Sequence, residues 1–188
     1  HDERGRTLHG ARVVVVGGGG ITAELLRLLA PFGVRATVVR RTDAAVPGAA
    51  RTLVSSGLLE ALADADVVFV TAALTDETRG LLGREAFAAM PRGSVLVNVA
   101  RGAIVDTDQL VAALESGRLG GAGLDVTDPE PLPARHPLWA APNCIVTPHV
   151  ADTDAMTVPL FAERIGRNAR AFLGDGAFEG VVDLAAGY

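Results

Sequence analysis

Four valines run straight into four glycines at residues 13–20, VVVVGGGG, and no other stretch limits the fold as sharply. A β-branched run that is apolar at every position suits a strand covered on both faces, as in a parallel sheet. Glycines at its end permit a tight turn and close approach of the backbone to a neighbour. The stretch that follows, ITAELLRLLAPF at 21–32, carries apolar residues at helical spacing. Strand, glycine turn and helix in that order suit a dinucleotide, whose phosphates sit on the helix N-terminus while the glycines supply turn and space. Gly17 and Gly19 fit the first two glycine positions, and Thr22 takes the third. Its methyl is expected to crowd the helix–strand contact, with the hydroxyl free to cap the helix or face a phosphate.

The alternation continues along the chain. Mostly Val-rich runs at 12–16, 35–39, 66–70, 94–99, 121–126 and 144–146 are separated by helical patterns at 21–32, 58–63, 84–90 and 108–116. This predicts an α/β fold, a Rossmann-type doubly wound parallel sheet with helices on both faces. The stretch TDPEPLPARHPLWAAPN at 127–143 holds five of the ten prolines and reads as an ordered loop or crossover. A last helix is expected over 154–173. The expected division is a dinucleotide-binding domain over 1–150 and a C-terminal helix and tail over 151–188.

The cofactor is read from the end of the second strand, VVRRT at 38–42. An acidic residue about 20 positions past the glycines would pair with the free ribose hydroxyls of NAD. Arg40 stands there instead, and with Arg41 and Thr42 it offers donors and a fixed charge to a 2′-phosphate. NADP(H) is therefore expected, with NAD(H) as the alternative. The competing reading, two solvated surface arginines, is stronger for Arg41 than for Arg40.

Composition excludes several other classes. A net charge of −5 opposes binding to nucleic acid or an anionic membrane, and no apolar run is long enough to span a bilayer. All seventeen basic residues are arginine, so a lysine Schiff base is excluded. Cys144 is the single cysteine, which rules out an intrachain disulfide, points to a reducing cytoplasm and leaves the thiol as a small core residue. No metal site is expected. His1, His9 and His136 read as structural or solvated.

Three later stretches add chemistry: VLVNVARGAIVDTDQLVAALESGRLGGAGLDV (95–126), DPEPLP (128–133) and NCIVTPHVA (143–151). Together with FGV and LTDETRGLL, they make the chain resemble the D-2-hydroxyacid dehydrogenases, nicotinamide-dependent enzymes, from about residue 8 to its end. The resemblance implies that Arg101 clamps the carboxylate of a small 2-oxo acid, a role that suits a permanent planar cation. It makes His149 the acid–base that protonates the carbonyl oxygen as hydride reaches C2, with Glu130 orienting the ring. Asp125 falls near the nicotinamide amide, and Gly20, Ile21, Ala72, Ala73, Val99, Ala100 and Ala151 line the cofactor cleft. A homodimer formed through the nucleotide domain is implied too, with LPARHPLWAAPN (132–143) as a contact segment.

Departures from the family pattern support a different class. Thr22 replaces a glycine, Gly20 stands where an arginine often meets the pyrophosphate, and Asp152 stands where glycine usually follows the histidine. The chain does not begin with methionine and is expected to be one part of such an enzyme, lacking the body of the substrate domain. It should fold and bind cofactor but turn over poorly alone. The alternative is a non-catalytic NAD(P)-binding sensor or interaction module of the same fold.

Overall fold

The computed structural model describes residues 7–174, 176–182 and 184, so His1 and part of the closing tail lie outside the described residues. Two compact units are present, one ending at Pro148 and the other beginning at His149.

The first unit holds seven strands: β1 (Arg12–Val16), β2 (Arg35–Arg40), β3 (Arg51–Val54), β4 (Val67–Val70), β5 (Ser94–Asn98), β6 (Leu119–Leu124) and β7 (Cys144–Val146). They form one wholly parallel sheet in the order β3-β2-β1-β4-β5-β6-β7. Helices α1 (Gly20–Leu29), α2 (Leu58–Leu62), α3 (Arg84–Ala89) and α4 (Thr107–Glu115) cover it. The valine run explains why both faces are needed. Val13 and Val15 join Leu26 and Leu29 of α1 in one cluster. Val14 and Val16 join Leu58, Leu62, Phe87 and Leu114, from α2, α3 and α4, in the other. The doubly wound sheet is therefore the observed fold, and its order reverses between β1 and β4, where such sheets open a crevice at their carboxyl ends.

Three differences from the sequence reading go beyond ends shifted by one residue. The short edge strand β3 was not expected, and its pairing extends β2 by one residue, so that Arg40 lies opposite Val54. Strand β6 begins at Leu119 and ends at Leu124, not at 121–126. Glycines seat it: a Cβ at Gly120 would lie 2.3 Å from the Gly93 carbonyl oxygen, and one at Gly121 would lie 2.9 Å from that of Asn143. Asp125 is thereby left in the loop beyond the strand. Helix α1 gives way to a 3-10 turn at Ala30–Phe32, closed by Gly33 at φ 62°.

Within the proline-rich stretch, a 3-10 turn at Pro137–Trp139 is capped by His136, whose Nδ1 accepts from the Leu138 amide at 3.2 Å. His136 is structural, as expected. Cys144 packs against the larger core cluster but is only half-buried, because β7 is an edge strand, with the neighbouring Ile145 70% exposed. Burial still pushes its thiol pKa up, leaving less thiolate at neutral pH. Cys144 is expected to react with Ellman's reagent more slowly than free cysteine, and an equal rate would contradict the described packing.

The second unit contains α5 (Asp154–Phe172). Its tail is tied back onto the helix by Asn168, which exchanges two hydrogen bonds with the Glu179 backbone, and by Arg167, whose Nε lies 2.7 Å from Glu179 Oε1. Among the described residues no helix is long and apolar enough to cross a membrane.

Candidate active site

Parallel topology places the first unit's candidate residues along one edge of the sheet. Gly17–Thr22 follow β1, Arg40 closes β2 ahead of Arg41 and Thr42, Ala72 and Ala73 follow β4, Val99–Arg101 follow β5, and Asp125 and Glu130 follow β6.

The glycine loop is fixed by its first member. Gly17 has φ 120°, and a Cβ there would lie 2.6 Å from the Ala72 amide nitrogen and 2.7 Å from Thr71 atoms. The turns after β1 and β4 therefore touch, which no side chain at 17 would allow. Thr22 behaves differently from its expected role. It is fully buried, its Oγ1 2.9 Å from the Gly17 carbonyl oxygen and 2.8 Å from Thr71 Oγ1. Its hydroxyl ties helix to loop, and it neither caps the helix nor faces a phosphate. The cap is Gly19, with no side-chain hydrogen bond, and the first turn carries no acidic residue. Nothing lies within 4 Å of where a Cβ would stand at Gly19 or Gly20. A helix N-terminus with free amides, the positive end of its dipole and open space in front of it fits a pyrophosphate.

Arg40 has no carboxylate partner among the described residues, and its Nη1 lies 3.5 Å from the Ala44 carbonyl oxygen. Arg41 and Thr42 are exposed beside it. Ile21 is exposed, Ala72, Ala73 and Val99 are half-buried, and Ala100 is buried, so that Ala100 contributes backbone.

The loop carrying Arg101 is held from below. Asn98, 1% exposed, donates from Nδ2 to the Arg101 carbonyl at 3.0 Å and accepts from the Ala100 amide at 3.0 Å. Arg101 itself is exposed and donates to the Ala100 carbonyl at 2.7 Å. Gly102 presses against the next loop, since a Cβ there would fall 2.0 Å from the Thr127 carbonyl carbon and oxygen. Thr107 Oγ1 donates to the Asp128 carbonyl at 2.7 Å, and Thr127 Oγ1 to that of Pro129 at 2.9 Å. The Arg101 and Glu130 loops are thus packed together, with exposed Glu130 at the surface. Asp125 is buried and accepts from Thr147 Oγ1 at 2.6 Å.

His149 and Ala151 belong to the second unit, where both are exposed. His149 has φ 56°, a conformation costing an L-residue about 1–2 kcal/mol. Sequence reasoning missed Gly18, Thr71, Asn98 and Gly102. Asn98 had a legible signal, as the one amide closing the apolar run SVLVN.

A glycine loop at the reversal point of a parallel sheet, opening a helix with an uncapped N-terminus, defines a nucleotide-binding Rossmann domain. Residues 1–151 match the family described as D-isomer specific 2-hydroxyacid dehydrogenase, NAD binding domain, and the chain belongs to that family. It is 37% identical over 148 residues to a human glyoxylate reductase/hydroxypyruvate reductase, covering 77% of this chain and 44% of the relative. A D-isomer specific 2-hydroxyacid dehydrogenase of Xanthobacter autotrophicus Py2 in complex with NADPH and MES superposes with TM-score 0.86 at 38% identity, covering 100% of this chain and 77% of that one. An NADPH-dependent glyoxylate/hydroxypyruvate reductase of Sinorhizobium meliloti, in complex with NADP and sulfate, gives 0.88 at 32% identity, covering 100% and 60%. The chain spans about half the length of the curated relatives it matches.

Proposed function

We propose that this chain is the cofactor-binding part of an NADP(H)-preferring reductase of small 2-oxo acids, which in reverse oxidises 2-hydroxy acids. The observation that carries the reading is the open space over Gly19 and Gly20, at an uncapped helix N-terminus flanked by Arg40. The pyrophosphate would lie there, and Arg40, with Arg41 and Thr42, would meet the 2′-phosphate. Both structural relatives cited above were determined with NADPH or NADP, which supports the same choice.

When bound, the nicotinamide supplies or accepts the hydride at C2. Arg101 grips the substrate carboxylate bidentately and sets the carbonyl for attack, its loop held by Asn98. His149 gives a proton to the carbonyl oxygen and takes it back in the oxidative direction, with Glu130 orienting the imidazole. Asp125, fixed by Thr147, would hold the nicotinamide end of the cofactor through its carboxamide. Residues 1–150 form the nucleotide domain in this reading, and 151–188 pass into the substrate domain. A homodimer is proposed through 132–143, where Trp139 is 54% exposed although its indole nitrogen donates to the Pro133 carbonyl. A reducing cytoplasm suits the lone Cys144.

The test is a fluorescence titration of the chain with NADPH and with NADH. NADPH is expected to bind more tightly. Arg40→Asp should weaken it by roughly 10²-fold, through loss of a charge-assisted contact and gain of a like charge. Binding of neither nucleotide would refute the reading.

A further inference from the structure

The Arg40 side chain lies along the glycine loop. A Cβ at Gly18 would fall 2.8 Å from Arg40 Cδ, 2.9 Å from Nε and 3.2 Å from Cβ. The contact runs from the base of the side chain to the guanidinium, so rotating the tip alone cannot relieve it. The Arg40 backbone cannot yield either, being locked opposite Val54 in the β2–β3 ladder.

We propose that Gly18 is a specificity-determining residue for the cofactor. By lacking a side chain, it leaves the strip of loop surface on which Arg40 rests, and so holds the guanidinium where a 2′-phosphate is read. The proposal rests on the NADP(H) reading of Arg40. Gly18 differs in this from its neighbours. At Gly17 a side chain would strike backbone, and at Gly19 and Gly20 it would enter open space. At Gly18 the nearest atoms are all Arg40's, and φ there lies outside the left-handed region. An L-residue therefore fits the backbone, and the first group its Cβ meets is the arginine. A guanidinium already laid in place loses less side-chain entropy when it meets its anion.

Titrations with NADPH and NADH on the wild-type chain, Gly18→Ala, Gly18→Leu, Arg40→Ala and the Gly18→Leu/Arg40→Ala pair test this. Gly18→Leu should weaken NADPH about tenfold while NADH stays within about twofold, and it should add nothing on top of Arg40→Ala. Gly18→Ala should move in the same direction by less, with an unchanged melting temperature. Equal losses for the two nucleotides, an unchanged ratio in both Gly18 variants, or additive losses in the pair would overturn the proposal. If Arg40→Ala fails to change the ratio, the NADP(H) reading itself falls and this proposal with it. If Arg40→Ala weakens NADPH and the Gly18 variants do not, only the role of Gly18 is refuted.

Discussion

Gly102→Ala is expected to lower the stability of the chain by about 3 kcal/mol and to release the loop that carries Arg101. The added methyl carbon would sit 2.0 Å from both the carbonyl carbon and oxygen of Thr127, and 2.6 Å from the Asp128 amide nitrogen. These are backbone atoms, so no rotamer change relieves the overlap. Their segment is pinned by the bonds from Thr107 to Asp128 and from Thr127 to Pro129, so one of the two loops must move as a body. In a chain of this length about 3 kcal/mol corresponds to a fall of roughly 6–12 °C in melting temperature. Gly123→Ala is the control. It adds the same methyl on β6, where the nearest atom is Val97 Cγ2 at 3.9 Å, an ordinary contact. Melting followed by circular dichroism should separate the two variants. If Gly102→Ala melts with the wild type, the Arg101 and Glu130 loops are not packed as described.

The same contrast shows what a sequence can and cannot disclose about this fold. The parallel sheet was legible because Val13–Val16 are β-branched and apolar at every position, which suits a strand covered on both faces. Gly17 was legible because a strand ending in glycine before a helix has few uses. Gly102 and Gly18 were not, since each is required by a neighbour remote in sequence, Thr127 and Arg40 respectively. Thr22 was misread for a related reason. A threonine in a glycine's place looks like crowding until Thr71, on another loop, is seen to share its hydroxyl. Strand β3 escaped because RTLV is short and lies at the sheet edge, where pairing with β2 decides the conformation. Motifs made from consecutive residues could be read. Loop-to-loop contacts needed the fold.

His149→Asn and Arg101→Met are expected to fail in different ways, and that difference tests whether the chain belongs to a working reductase. Asparagine is the right probe at 149 because the backbone there holds φ 56°, which asparagine tolerates better than most side chains. The substitution removes the proposed proton donor without adding backbone strain. A group that moves a proton in the transition state is worth about 10²–10⁴-fold, so the maximal rate should fall by that factor with little change in substrate affinity. In the proposed mechanism Arg101 instead holds the substrate before the chemistry begins. Its loss should raise the concentration of 2-oxo acid needed for half-maximal rate by roughly 10²-fold, the worth of a charge-assisted bidentate contact. Both variants should bind NADPH like the wild type, since neither residue belongs to the glycine loop. The readout is NADPH oxidation with glyoxylate, with the chain in excess over NADPH so that a slow single turnover is measured. A sensor or interaction module would behave otherwise: the wild type would bind NADPH, consume no 2-oxo acid, and be matched in every titration by both variants. That result would remove the catalytic reading while leaving the cofactor site intact. A maximal rate lowered about 10²–10⁴-fold by His149→Asn with substrate affinity kept, beside the reverse split for Arg101→Met, would support a proton passing through this histidine.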